Sequence, residues 1–138
     1  VLITPVNEHF LRLKQQGSTI RELMREPVIM RETGSGSKKT ADRCLDGMGL
    51  SEENLNIVAR VNDQEAIKNM VSGGLGISII SQMAAQNILA EKRVLSFPLD
   101  QNAAGRTIFL IYRKDYILAP HILVFLKFML KKAAGGTR

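Results

Sequence analysis

Residues 27–45 have the sequence PVIMRETGSGSKKTADRCL, which combines a short apolar run, a Gly/Ser/Thr loop and a helical segment. The apolar run predicts a strand that ends at the loop, and the residues after the loop predict a helix. Backbone N–H groups in such a loop lack intrahelical partners and face whatever lies beyond the strand end. Two interpretations follow: a site for a small anion or polar ligand, or an ordinary turn with a serine N-cap.

Two nucleotide-binding motifs that the loop suggests are incomplete. Ser37 stands where a Walker motif needs a glycine before Lys38, and Lys39 occupies the third glycine position of a G-x-G-x-x-G pattern that begins at Gly34. The sequence also has no Ser/His/Asp order, no paired carboxylates at a strand end and no His/Cys/carboxylate cluster at metal-ligand spacing. We therefore expect no enzyme activity, no catalytic residues, no cofactor and no bound metal.

Composition limits the class of protein further. The 138 residues suffice for one domain with its own core, and the single cysteine, Cys44, suits a reducing compartment. No signal peptide and no membrane-spanning apolar run is present, so we expect a cytoplasmic protein without membrane contact. The net charge of +6 comes from residues 101–138, because residues 1–100 carry 12 basic and 12 acidic groups. No helix has a Lys/Arg stripe, which argues against a DNA-binding surface on this chain.

Working outward from the loop, strands and helices alternate along the chain. The predicted strands are 1–5, 27–31, 56–61, 77–80, 94–99 and 106–114, and the predicted helices are 18–26, 37–46, 63–72, 82–90 and 120–132, with a loop and short turn at 7–17. This alternation predicts an α/β fold with a mainly parallel sheet and helices on both faces.

Ligands of open parallel sheets bind beyond the carboxyl ends of the strands. The loops 32–37 and 62–63 follow predicted strands and should lie at that edge. The glycine turn 73–76 enters its strand from the opposite edge, where its glycines permit a tight turn and close packing. Beyond that turn, only Ser78 or Ser81 would reach the ligand side.

Three segments carry a resemblance to a known family: REPVIMRETGSGSKKTADRCLDGMGL at 25–50, VARVNDQEAIKNMVSGGLGISIISQMAA at 58–85, and VLSFPLDQNAAGRTIFLIYRKDYILAPHILVFLKFML at 94–130. In their order and spacing the chain resembles the effector-binding domain of LysR-type transcriptional regulators, most specifically at 66–81. The resemblance implies a periplasmic-binding-protein-like (type 2) fold, in which two α/β subdomains hold a small effector between them.

The resemblance also implies boundaries and partners. Residues 1–97 would be the second subdomain, nearly complete, and 98–105 a crossover. Residues 106–132 would be a returning strand and C-terminal helix of the first subdomain, truncated here, and 133–138 a tail. A small-molecule effector, a carboxylate or other anion, would bind in the cleft. DNA would be bound only through a helix-turn-helix domain absent from this chain.

The resemblance further implies which residues meet the effector. They are Thr33 through its side chain, Gly34 and Ser35 through backbone N–H groups, and Asn62 and Asp63 on the same rim. The first subdomain's half of the cleft is missing, so a complete site cannot exist in one isolated copy.

The last predicted helix is apolar around most of its circumference, which predicts a homo-oligomer in which another chain covers Phe125 and Phe128. The alternative function is a solute-binding protein of a transport system, which would share the fold. A small phosphate-handling enzyme would depend on Lys38 or Lys39, and we expect no such turnover.

Overall fold

The computed structural model of this chain describes residues 1–99, 109–113, 115 and 117–134, apart from the side chains of 133 and 134. The chain divides into two compact units, Val1–Arg106 and Thr107–Arg138. The first unit contains β1 (Leu2–Pro5), α1 (Glu8–Gln15), α2 (Ile20–Leu23), β2 (Val28–Arg31), α3 (Gly36–Gly47), a 3-10 turn (Glu52–Asn54), β3 (Ile57–Val61), α4 (Gln64–Ser72), β4 (Ser78–Ile79), α5 (Gln82–Ala90) and β5 (Val94–Phe97). The second contains α6 (Pro120–Ala134).

The sheet of the first unit is mixed. Strands β2 and β3 are parallel, whereas β1 is antiparallel to both of its neighbours, β4 and β5. A parallel bridge between Val28 and Ile77 joins the two groups of strands, so the order is β3-β2-β4-β1-β5. The predicted mainly parallel sheet is thus confirmed for β2, β3 and β4, whereas β1 runs antiparallel to its neighbours. The alternation of strands and helices along the sequence predicts how many strands form. It does not show which strands lie next to one another in the sheet.

Helices cover both faces of the sheet, as predicted. Neighbouring strand residues alternate between two apolar cores: Leu2 and Met30 enter one, and Ile3 and Ile29 enter the other. The first core also contains Phe10, Leu23, Ala41, Cys44 and Leu45 from α1–α3, and the second contains Ile67, Val71, Ala85 and Ile88 from α4 and α5.

The first helices differ from the prediction at 7–26. Residues 8–15 form α1 rather than a loop and turn, because the Asn7 side chain accepts a hydrogen bond from Phe10 N–H at 3.0 Å and Phe10 is buried. Thr19 caps α2 in a reciprocal capping box with Glu22, so the helix begins at Ile20 rather than at the predicted residue 18. Helix α2 ends at Leu23, earlier than expected, ahead of Pro27, which disfavours helical backbone in the residue before it.

Gly76 allows β4 to approach β2 closely. Its φ is +156°, and a Cβ atom at this position would lie 2.5 Å from the carbonyl oxygen of Pro27. The same segment donates Ile77 N–H to Pro27 O at 2.8 Å. The expected role of the glycine turn in close packing is confirmed.

In the second unit, α6 extends two residues beyond its predicted end at 132. The predicted strand 106–114 is described only at 109–113, where it is not a strand. Phe109 and Ile111 are exposed there, and an extended segment without a paired neighbour is not stable as a strand. Residues 106–108, 114 and 135–138 lie outside the described residues. Within the described part of the chain, no helix is long and apolar enough to cross a membrane.

Candidate functional site

A hollow of about 260 Å³ lies at the carboxyl edge of the first unit's sheet. It is bordered by the ends of β4 and β5, by the start of the antiparallel strand β1, and by the first turns of α3 and α5. Its polar lining consists of Ser37, Thr40, Ser81 and Gln82, and its apolar lining consists of Val1, Ala41, Ile79, Ile80, Pro98 and Leu99. None of these described side chains is charged.

The polar side chains of the hollow differ in how far the fold already uses them. Thr40 Oγ1 donates to the Gly36 carbonyl at 3.1 Å, and Ser81 Oγ accepts from Ala84 N–H at 3.2 Å as the N-cap of α5. The hydroxyl of Ser37 and the amide of Gln82 have no hydrogen-bonding partner among the described residues. These two groups are therefore available to a ligand in the hollow.

The first turns of α3 and α5 both border the hollow. Unpaired N–H groups at helix N-termini carry a partial positive charge and favour a negative group nearby. The opposite side is formed by Ile79, Ile80, Pro98 and Leu99, which suit an apolar surface. The hollow can therefore hold a small molecule with one polar or anionic end and an apolar body.

The predicted effector residues lie at the same edge. The register pair Arg31↔Val61 places the ends of the parallel strands β2 and β3 side by side, and the two predicted loops start directly after them. Thr33 is exposed, and Gly34 has φ +94°, a conformation that glycine adopts readily. Ser35 Oγ accepts from Lys38 N–H at 3.0 Å as the N-cap of α3.

The second predicted loop is similar. Asn62 is exposed, and Asp63 caps α4 by accepting from Glu65 N–H at 2.9 Å. None of the five predicted residues is among the described residues that line the hollow. The contact of these five residues with an effector stays a prediction. The side chains of Ser35 and Asp63 already have a structural role as helix caps.

Sequence reasoning found part of the lining and missed the rest. Ser81 lines the hollow. Ser78 is buried and donates to the Ile29 carbonyl at 2.7 Å, so Ser81 alone of these two serines reaches the ligand side. Ser37 lies in the loop 32–37 that the sequence places at this edge, but it was not predicted as a contact; it stands in the first turn of α3, which starts at Gly36. Once Ser35 is recognised as the N-cap of α3, Ser37 falls in the first turn of the helix, where its hydroxyl can face a ligand.

A charged pair lies at the end of β2. Arg31 donates to Glu32 through Nε at 2.7 Å and Nη2 at 2.9 Å, and this bidentate contact lowers the pKa of the Glu32 carboxyl. The same contact, with the charge of Asp63 contributing less, raises the pKa of Arg31. The pair keeps both charges next to the Thr33–Ser35 loop neutralised.

Comparisons with known proteins identify a family for this chain. The sequence profile described as LysR substrate binding domain matches residues 1–134. The HTH-type transcriptional activator CmpR of Synechocystis sp. is 33% identical over 122 residues, which are 85% of this chain and 38% of that protein. The RuBisCO operon transcriptional regulator of Allochromatium vinosum is 27% identical over 120 residues, 87% of this chain and 39% of that protein.

The chain thus spans about two fifths of the length of these curated relatives. Among solved structures, a LysR family transcriptional regulator aligns with a TM-score of 0.51 and 19% identity, covering 69% of this chain and 28% of that one. At this identity the likeness concerns the fold alone.

Proposed function

We propose that this chain, which belongs to the LysR substrate-binding domain family, is the effector-binding part of a LysR-type transcriptional regulator and takes its effector in the hollow at the carboxyl edge. The observation that carries this proposal is the hollow itself, with unpaired polar groups on Ser37 and Gln82 between two helix N-termini. The names of the relatives, a transcriptional activator and an operon regulator, support the regulatory role.

The effector is a small carboxylate or other anion with an apolar portion. No side chain among the described lining residues is charged, so the negative group of the effector would be met by hydroxyls, an amide and helix N–H groups. The apolar portion would pack on Ile80, Pro98 and Leu99. Apart from the Val1 α-amino group, which donates to the Ile80 carbonyl at 3.0 Å, no charged group of the described lining supplies a counter-ion, whose desolvation would be costly.

Residues 1–97 act as one subdomain of a type 2 periplasmic-binding-protein-like fold, and 106–132 belong to the other. The hollow is then one wall of an effector cleft, with Thr33, Gly34, Ser35, Asn62 and Asp63 further along the same rim. Support comes from the register of β2 and β3, which starts both loops side by side.

In the parent protein, which works in the cytoplasm, a helix-turn-helix domain outside this chain binds DNA. An effector that prefers one degree of cleft closure would change the population of that state and so the spacing of the DNA-binding domains in a homo-oligomer. The relative named as an HTH-type activator supports this division of labour.

Thermal unfolding of the 138-residue chain tests this one wall of the cleft by itself, with a panel of monocarboxylates, dicarboxylates and inorganic phosphate. We expect one chemical class to raise the melting temperature, since a ligand that binds only the folded state stabilises it. Ser37→Ala should lower the affinity for that compound on the order of tenfold, which corresponds to the loss of one hydrogen bond to a charged group. Ser96→Ala is the control, because Ser96 is half-buried in β5 and does not line the hollow. Equal shifts in both variants would remove the hollow as the site.

Thr33→Ala tests the rim residues separately. If the Thr33 hydroxyl meets the effector, the shift from the same compound should fall in this variant while the melting temperature without ligand stays unchanged, because Thr33 is exposed. An unchanged shift would remove Thr33 from the effector contacts and leave the hollow intact.

Association occurs through α6. Phe125, Phe128 and Leu130 are each more than half exposed, and apolar side chains concentrated on one short helix favour burial against another copy. Size-exclusion chromatography at low concentration should show a dimer or larger species, and Phe125→Gln with Phe128→Gln should reduce it. Met83→Gln, which changes an exposed apolar residue of α5, should not. A monomeric wild-type chain would contradict this assignment.

A further inference from the structure

Four charged side chains form a connected cluster beside α3, here called the Glu52 network: Lys38, Asp42, Glu52 and Arg60. Lys38 Nζ lies 2.6 Å from Glu52 Oε1 and 2.8 Å from Asp42 Oδ2. Arg60 Nη2 lies 2.6 Å from Glu52 Oε2. Glu52 therefore joins the first turn of α3 to strand β3 through one carboxylate.

The network lies on a different face of α3 from the hollow. Successive helix residues are about 100° apart, so Lys38 and Asp42 are turned away from Ser37, Thr40 and Ala41. None of the four charged residues is among the described residues that line the hollow. Any effect of the network on a ligand there must act through the position of α3.

Lys38 is anchored at both its backbone and its side chain. Its N–H donates to the N-cap hydroxyl of Ser35 at 3.0 Å, while its side chain is only 12% exposed and its ammonium group contacts two carboxylates. At the other end, Arg60 is the last residue but one of β3, the strand that leads into the Asn62 and Asp63 loop. The network thus connects the segments that carry both predicted effector loops.

Lys38, Glu52 and Arg60 are all charged at neutral pH, because their mutual contacts favour the charged form of each group. Hydrogen bonds from Arg60, and then from Lys38, lower the pKa of Glu52 from its usual 4.5 to about 2. Burial opposes the charge on Lys38, but its hydrogen bonds to Asp42 and Glu52 outweigh this and raise its pKa. The contacts are therefore charge-assisted, which makes them shorter and stronger than neutral hydrogen bonds.

We infer that Glu52 is a positioning residue of the effector hollow: through Lys38 it holds the first turn of α3 where Ser37 and Thr40 face the ligand. This inference rests on the proposed function, because it concerns the same hollow. A binding group is effective only when neighbouring side chains hold its geometry.

The test compares Glu52→Gln with Glu53→Gln in the 138-residue chain. Both substitutions remove one negative charge from the same 3-10 turn, and Glu53 is exposed with no ion pair among the described residues. Acetate serves as the probe, titrated while the backbone amide signals of Ser37 and Gln82 are followed by NMR. Amide hydrogen exchange at residues 38–41 is measured on the same samples.

In Glu52→Gln we expect acetate to bind the hollow on the order of tenfold more weakly, a typical size for a residue that acts through its neighbours. Exchange at 38–41 should be faster, and Glu53→Gln should match the wild type in both measurements. Lys38→Met should reproduce the loss and Lys38→Arg should retain binding. These two variants also decide the question if Glu52→Gln does not fold.

Faster exchange with unchanged acetate affinity would overturn the inference, because the network would then be structural only. Unchanged exchange with unchanged affinity would overturn it as well. If acetate shifts neither Ser37 nor Gln82 in the wild type, the proposed hollow fails and this inference fails with it. Failure of the hollow is therefore seen in the wild type, whereas failure of the positioning role of Glu52 is seen only in the variants.

Discussion

Helices α3 and α6 show opposite relations between sequence and burial. Helix α3 has few apolar residues, yet Leu45 is 1% exposed in a core shared with β1, β2 and α2. Helix α6 is apolar around most of its circumference, yet Phe125 is 54% exposed and Phe128 is 56% exposed. Apolar content therefore does not by itself make a core, because burial needs neighbouring elements that fit the apolar face.

The largest expected difference between the two helices comes from the same substitution in each. Leu45→Ala should lower the free energy of unfolding by about 3 kcal/mol, since it leaves a cavity in the first core. Leu130→Ala in α6, where the leucine is 67% exposed, should cost about 0.5 kcal/mol or less. Urea unfolding followed by far-UV circular dichroism measures both. Equal losses would show that the comparison of the two helices is wrong.

The core that buries α3 also requires the close approach of β4 to β2. Gly76→Ala should cost about 2 kcal/mol, because the new Cβ would meet the Pro27 carbonyl and the backbone must shift. Gly74→Ala is the control: its φ is +84°, but no atom lies within 4 Å of the position that the new methyl group would take. The control should cost about 1 kcal/mol from backbone strain alone. If both variants were equally stable, contact with Pro27 would not limit residue 76.

The smallest of the three effects concerns the polar side of α3. Glu52→Gln should lower the free energy of unfolding by about 1 kcal/mol at neutral pH, through a partly exposed charge cluster. Because the folded-state pKa of Glu52 is depressed from 4.5 to about 2, its contribution is complete above the unfolded value and is lost as pH falls between them. The difference from wild type should therefore shrink below pH 4.5. A difference independent of pH would argue against an ionised Glu52, and Glu53→Gln should show little effect at any pH.

Much of the first unit follows from local patterns in the sequence. Apolar runs correctly predict β2, β3 and β5, and the capping side chains Ser35, Asp63 and Ser81 define where three helices begin. Helix α1 was not predicted because its apolar side is short: Phe10 is buried, and Leu13 is only partly buried against the same core. The antiparallel direction of β1 depends on long-range pairing with β4 and β5, which local patterns do not encode.

In the candidate site too, some features follow from local sequence patterns and others depend on long-range packing. Placement of ligand groups at the strand ends follows from general properties of α/β sheets, and Ser81 was found in this way. The positions of Ser37 and Gln82 in the hollow depend on how the first turns of α3 and α5 converge. That convergence is set by packing between segments far apart in the chain.

The central claim is that the hollow between the first turns of α3 and α5 binds the effector. Its most direct test is a crystal structure of the 138-residue chain with the panel compound that gives the largest thermal shift. We predict that the anionic group lies about 3 Å from Ser37 Oγ and that the apolar part contacts Ile80 and Pro98. A compound bound elsewhere, with Ser37 and Gln82 still unpaired, would contradict the claim.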